Sequence, residues 1–335
     1  MPRGARIDAE DAVHHIMVRG IERKKIFESD ADRNHFLHRL GEILLDTETT
    51  CFAWSLMPNH FHLLCRTGNV SISTVMRRLL TGYAIWYNRS RRRHGHLFQN
   101  RFKSILCQED AYLLELVRYI HLNPLRAGLV QGLAELDNYP YSGHSTLMGK
   151  LKKAWQETEE ILRLFGKGPT SARRAYRIFV EEGLEQGRRQ DLAGGGLIRS
   201  AGGWEGLKLK REEGQYQRSD ERILGDSDFV TRALVKSDET MKKDHKLRTS
   251  GMDLEKIARR VSNLMEINIK DVWAEGKQPH IVAARSLLCY WAVRELGVSM
   301  ASLGRRFGIS LPAISKSVVR GKQIAESKGL NLIEC

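Results

Sequence analysis

The chain has 335 residues, the length of roughly two domains, so a single small module is excluded. Lys and Arg total 54 against 40 Asp and Glu, a formal charge of +14 with a pI near 9.7. That balance points to a polyanionic partner, nucleic acid ahead of an anionic membrane surface. Five scattered cysteines, odd in number and never in a C-x-x-C pair, give neither a disulfide framework nor a zinc cage. The mean hydropathy of −0.40 comes with no run long enough to span a bilayer. The expectation is a cytoplasmic protein, associated with the nucleoid and not with a membrane.

From Val13 to Arg19 the residues alternate as in a strand, and Asp30 to Leu45 carries Phe36, Leu37, Leu40, Ile43 and Leu44 at helical spacing behind an Asp N-cap. Cys51 to Met57 and His60 to Cys65 read as two short strands around the Pro58-Asn59 turn. Ser71 to Tyr87 is an amphipathic helix with Val75, Leu79, Ala84 and Ile85 inward; Ala111 to His121 is another, ended by Asn123-Pro124. Strands interspersed with helices, without a βαβ rhythm, predict an α+β domain on an antiparallel sheet over residues 1–150. Residues 151–250 connect, with helices near Trp155–Phe165 and Ser171–Glu185. A glycine-rich stretch from Ala193 to Gly206 then leads into the charged run Lys208–Arg222. Residues 251–330 return to helical patterning and form an all-α domain.

Chemistry concentrates in the first domain. In Met57–Leu64 (MPNHFHLL), His60 and His62 are two apart in a strand, so both imidazoles leave one face: half a metal site, or a pair of ordinary surface histidines. Tyr119 and Asn123 lie four apart on one helical face, so a phenol and an amide oxygen can approach the same point.

These motifs, with HLFQNRFKS at His96–Ser104 and RYIHLNPLRAGLV at Arg118–Val130, make the segment from about Val13 to Val130 resemble the single-tyrosine HUH transposases, particularly the REP-associated tyrosine transposases. The resemblance implies an antiparallel-sheet HUH domain, His60 and His62 as ligands of a divalent metal (Mg²⁺ or Mn²⁺), Asn123 as third ligand, and Tyr119 as nucleophile. Asn123 departs from those members that carry glutamine there, and it precedes a proline. Tyrosine attack on a phosphodiester stores the bond as a phosphotyrosine, so a strand can be cut and rejoined without ATP. An ordinary phenol, with a pKa about 10, is about 4 kcal/mol short of ionisation at pH 7, a deficit the site must offset.

Beside the site runs Asn88–His96 (NRSRRRHGH), continuing to Arg101 and Lys103. Arg91, Arg92, Arg93, Arg101 and Lys103 read as a track for single-stranded or hairpin DNA, with a solvated charge run as the plain alternative. Arg118 and Arg126 flank the tyrosine and could hold phosphate. Tyr83, Trp86 and Tyr87 read as core.

Toward the C-terminus, Asp253 to Trp273 reads as one helix with its exit and Ala283 to Leu296 as a second. Ser299–Phe307, a turn at Gly308-Ile309, and Ser310–Arg320 have the spacing of a helix-turn-helix. Residues from about Leu254 to Ala325 resemble the DNA-binding domain of the replication initiator DnaA, although Ser310-Leu311-Pro312 replaces that family's Asp-His-Thr stretch. Ser310, Ser315 and Lys316 are the candidate base readers of duplex DNA, and Arg305, Arg306 and Arg320 the candidate phosphate contacts. The leading expectation is a metal-dependent DNA strand transferase. A replication-initiator or relaxase-type nickase would use the same site, and a transcription regulator would need it inactive.

Overall fold

The computed structural model describes residues 7, 11–68, 70–187, 189, 192, 220–249 and 251–332. The chain divides into two compact units, Met1–Ser237 and Asp238–Cys335. The glycine-rich stretch and most of the charged run after it lie outside the described residues.

In the first unit, β1 (Val13–Arg19) is followed by α1 (Asp30–Asp46), the hairpin β2 (Thr50–Met57) and β3 (His60–Arg66), α2 (Ile72–Ser90), β4 (Lys103–Cys107) and α3 (Glu109–His121). Short helices α4 (Asn123–Arg126), α5 (Leu133–Asn138), α6 (Gly143–Leu147) and α7 (Glu159–Arg163) lead to α8 (Pro169–Glu182). After the segment left undescribed come β5 (Ile223–Leu224) and α9 (Ser227–Thr249), a helix whose range runs past Ser237 into the residues of the second unit. Ser29, not Asp30, caps α1: its hydroxyl accepts from Asp32 N while the Asp32 carboxylate accepts from Ser29 N, a reciprocal pair that satisfies two backbone donors.

The sheet order is β2-β3-β1-β4-β5. Three pairings are antiparallel, but β5 joins β4 in parallel, Leu106 opposite Ile223 and Cys107 opposite Leu224. The expectation of a wholly antiparallel sheet is corrected there: the fifth strand returns after more than a hundred residues, a pairing that local periodicity cannot reveal. Two-residue alternation sends Ile16, Val18, Phe61 and Leu63 to one face, against Phe36, Leu37 and Leu40 of α1 and Val75, Leu79 and Tyr83 of α2. Val13, Leu64 and Ile105 go to the other, against Leu116, Val117 and Ile120 of α3. Burial of these side chains, about 1.5–3 kcal/mol each, fixes α3 over one face and thereby places everything it carries.

Pro124 does not end the helical path. Leu122 keeps right-handed helical dihedrals (φ −81°, ψ −9°), and α4 starts at once with Pro124 in its first turn, where a missing N–H costs nothing.

The second unit contains α10 (Leu254–Met265), α11 (Ile269–Val272), α12 (Pro279–Arg294), α13 (Met300–Phe307) and α14 (Leu311–Ser327). The single helix expected from Asp253 to Trp273 is broken at Glu266, whose left-handed backbone (φ 52°) closes α10 before Asn268 caps α11. Between α13 and α14 the turn rests on Gly308 (φ 64°). Gly321 lets α14 approach α12: a Cβ there would stand 2.0 Å from the Ser286 carbonyl oxygen. Leu288, Trp291, Leu303, Phe307, Ile314 and Val318 form the buried interior.

Candidate active site

β3 presents His60, His62 and Leu64 on the α3 side of the sheet, and the register sets Arg19, Met17 and His15 of β1 directly opposite them. From above, α3 contributes Tyr119. The ring centroids of His60 and His62 are 5.5 Å apart, and Tyr119 sits edge-on 5.9 Å from both His62 and His15. Because the helical path continues through Leu122, Asn123 follows Tyr119 by one turn and Arg126 by two. All these groups except His15 and Leu64 line a cavity of about 1020 Å³. Around its wall stand Arg19, Arg23, Arg101, Lys103, Arg126, Arg189 and Arg222, against one carboxylate, Glu221. An opening so lined attracts a polyanion.

The two histidines are held by their inner ring nitrogens. His60 Nδ1 donates to Asn59 Oδ1 at 2.6 Å, and His62 Nδ1 is 2.9 Å from His15 Nε2. Each therefore has Nε2 as its unengaged nitrogen. Burial, with help from Arg19, lowers the His60 pKa to about 4; burial and then the neighbouring His15 and His60 hold His62 well below the ordinary histidine value. Both rings are neutral near pH 7, the form a metal requires. The Asn123 amide makes no hydrogen bond through its buried Nδ2, so nothing ties it away from the cavity. Among the described residues no three His, Cys, Asp or Glu side chains cluster as metal ligands. Two imidazoles and one amide oxygen on the cavity wall are the groups that could hold a cation. They fit a divalent cation with coordination positions left for phosphate oxygens, with Mn²⁺ more at ease on imidazole than Mg²⁺.

The candidate DNA contacts separate. Arg101, Lys103 and Arg126 line the cavity. Arg118 is buried instead, its Nη2 on both Glu115 carboxylate oxygens (2.6 and 2.7 Å) and its Nη1 on Phe179 O at 3.2 Å. Arg91 is bound by Asp32 and Glu28 and stacks 4.0 Å over Tyr87, away from the cavity. Arg93 bonds Asn88 and the His96 carbonyl, and Arg92 is exposed with a left-handed backbone (φ 49°). Tyr83 and Tyr87 are buried, while Trp86 is half-buried and stacks on His35 at 3.9 Å.

In the second unit Arg305, Ser310, Lys316 and Arg320 are exposed and Ser315 is half-buried. Arg306 pairs with Glu255 and lies 3.9 Å over Trp273, so its charge is already engaged. Val319, 41% exposed between Lys316 and Arg320, joins the solvent face of α14.

Sequence reasoning missed His15, Arg19 and Arg222. The alternation of Val13–Arg19 contained a signal for the first two, since His15, Met17 and Arg19 share a strand face. Arg222 had none, because it arrives with β5.

Residues 9–123 match the family model described as "Transposase IS200 like". No curated protein sequence matches the chain. Among solved structures, one described as "Structure of the REP associates tyrosine transposase bound to a REP hairpin" aligns with 18% sequence identity and a TM-score of 0.37, over 47% of this chain and 92% of that one. Among the described residues no helix is long and apolar enough to cross a membrane.

Proposed function

We propose that this protein is a transposase-like DNA strand transferase that cuts and rejoins single-stranded or hairpin DNA through a phosphotyrosine on Tyr119. One observation carries the reading: the phenol, the two neutral imidazoles and the amide meet in one basic cavity, within the segment that matches the IS200-like transposase model. In the reaction, Tyr119 Oη gives up its proton and forms a bond to phosphorus, and one phosphodiester P–O bond breaks. The departing sugar oxygen takes up a proton and leaves as a free hydroxyl. Phosphorus keeps its oxidation state, and the reverse attack by a hydroxyl restores a phosphodiester. His60, His62 and Asn123 would hold Mn²⁺ or Mg²⁺. When bound, such an ion polarises a phosphoryl oxygen and offsets developing charge. Arg101 and Lys103 grip the strand's phosphates, and Tyr119 is aligned by its packing over His15 and His62.

The second unit would choose the target by reading duplex DNA as a helix-turn-helix, with a fold like that of the initiator's DNA-binding domain. Support comes from α13, the three-residue turn and α14, whose solvent face carries Lys316, Val319 and Arg320. There Lys316 and Val319 meet base edges while Arg305 and Arg320 grip phosphate.

The test is incubation with an end-labelled hairpin oligonucleotide and Mn²⁺, followed by denaturing electrophoresis. Wild type yields a covalent protein–DNA adduct; Tyr119→Phe yields none yet binds the oligonucleotide with nearly unchanged affinity. Cleavage by the Tyr119→Phe protein would refute the assignment.

A further inference from the structure

Two guanidiniums reach the C-terminal end of α8, and they differ in one respect. Arg118 puts Nη1 on Phe179 O and Nη2 on the Glu115 carboxylate, so its charge is neutralised where it is buried. Arg126 puts Nη2 on the Gly183 carbonyl at 3.2 Å, and that is its one hydrogen bond among the described residues. Among the described residues its buried Nη1 has no partner and no carboxylate pairs with it. Gly183 permits this close approach, since a Cβ there would meet Arg118 Cδ at 2.6 Å. The other arginines near this end of the cavity have counter-charges: Arg189 has Glu115, and Arg222 has Asp220.

A half-buried cation without a counter-ion is costly to the free protein. The strain has a physical signature, in that desolvation and the nearby Arg189 and Arg118 pull the Arg126 pKa down while Tyr119 acts in the opposite sense. Capping α8 accounts for Nη2 and leaves Nη1 unexplained. What Arg126 does face is the nucleophile: its guanidinium carbon is 5.5 Å from the Tyr119 ring centroid, on the same cavity wall. Two helical turns separate the residues, a spacing that survives because Pro124 lets the helix resume.

We propose that Arg126 is a catalytic residue that receives the phosphate attacked by Tyr119. The guanidinium, where it lines the cavity beside Tyr119, donates to a non-bridging phosphoryl oxygen and favours the ionising phenol. The missing counter-charge is then supplied by the substrate, so the free protein carries a destabilising feature that DNA removes. This rests on the phosphotyrosine reading above, and it gives Arg126 a role that Arg118, although adjacent to the tyrosine in sequence, does not share. Arg126 also lies beyond the residues that match the family model, 9–123.

Full-length Arg126→Gln and Arg126→Lys separate this from a capping role. For Arg126→Gln, the adduct rate with the hairpin oligonucleotide falls about 100-fold or more, the scale of losing one pre-set donor to a transition-state oxyanion. Its Tm without DNA does not fall below that of wild type. Inorganic phosphate raises the wild-type Tm and leaves that of Arg126→Gln unmoved. Arg126→Lys keeps the phosphate effect in part but not the full rate, because a point charge replaces the fork; it also serves as the readout if the glutamine variant does not fold. An adduct rate within about threefold of wild type would overturn the proposal, as would a phosphate response independent of residue 126. If wild type forms no adduct, the phosphotyrosine reading has failed, and the phosphate-dependent Tm alone then decides whether Arg126 is an anion site.

Discussion

Replacing His15 by phenylalanine tests whether the candidate metal site depends on a residue that touches no substrate. His15 is fully buried in β1, and its Nε2 lies 2.9 Å from His62 Nδ1. A phenyl ring refills nearly the same space and keeps the 5.2 Å stacking with His62 available, so the change deletes the hydrogen bond to His62 with little loss of packing. What it leaves is a buried, unpartnered ring nitrogen on His62, a cost of about 1–3 kcal/mol. With Nδ1 untethered, the His62 ring is free to change tautomer and tilt. The loss expected for a ligand's outer partner is about 10–100-fold in metal affinity. At about 1.4 kcal/mol per decade that spans about 1.4–2.8 kcal/mol, the same range reached independently from the hydrogen bond. Mn²⁺ titration by calorimetry on the full-length protein is the assay, with adduct yield against Mn²⁺ concentration as its functional counterpart. His15→Gln, which can still accept from His62, recovers part of the loss. A Kd for Mn²⁺ unchanged in His15→Phe, or no Mn²⁺ binding by wild type, would refute the reasoning.

Acid should destabilise the first unit in a defined window. His60 is lowered to about 4, with His62 and His121 lower than the ordinary histidine value; the unfolded chain therefore binds protons first as pH falls. Stability is fully present above about pH 6.5, the unfolded histidine value, and declines toward pH 4 and below. A Tm series should show this slope reduced in His60→Asn, and an equal slope in both proteins would remove His60 as a source. For Gly321→Ala, the new Cβ would meet the Ser286 carbonyl oxygen at 2.0 Å, so α12 and α14 must separate, at about 1–3 kcal/mol or more. Thermal melts should show the transition of the second unit moving down while adduct formation, carried by the first unit, is retained; an unshifted melt would contradict the close crossing.

The parts of this fold that could be read from sequence are those whose signal is local. The alternation in Val13–Arg19 and the His60-Phe61-His62 triplet encode strand faces directly, and the four-residue step from Tyr119 to Asn123 encodes a helical face. Asn123-Pro124 marked the end of α3 at His121 correctly, but the rule about the residue before proline says nothing of a new helix beginning there with proline in its first turn. Charge was misleading. A run such as Arg91-Arg92-Arg93 looks like a binding track until Asp32 and Glu28, sixty residues away, take up Arg91. Arg118 likewise disappears into Glu115. Sequence lists cations, but only the fold says which of them still lack an anion. That subtraction leaves Arg126 at the nucleophile. It also shows why the far wall of the cavity was invisible: Arg189 is brought to it by the segment after α8, and Arg222 by a strand that pairs with β4 only after the chain has passed through residues 190–219, a closure that no window of neighbouring residues contains.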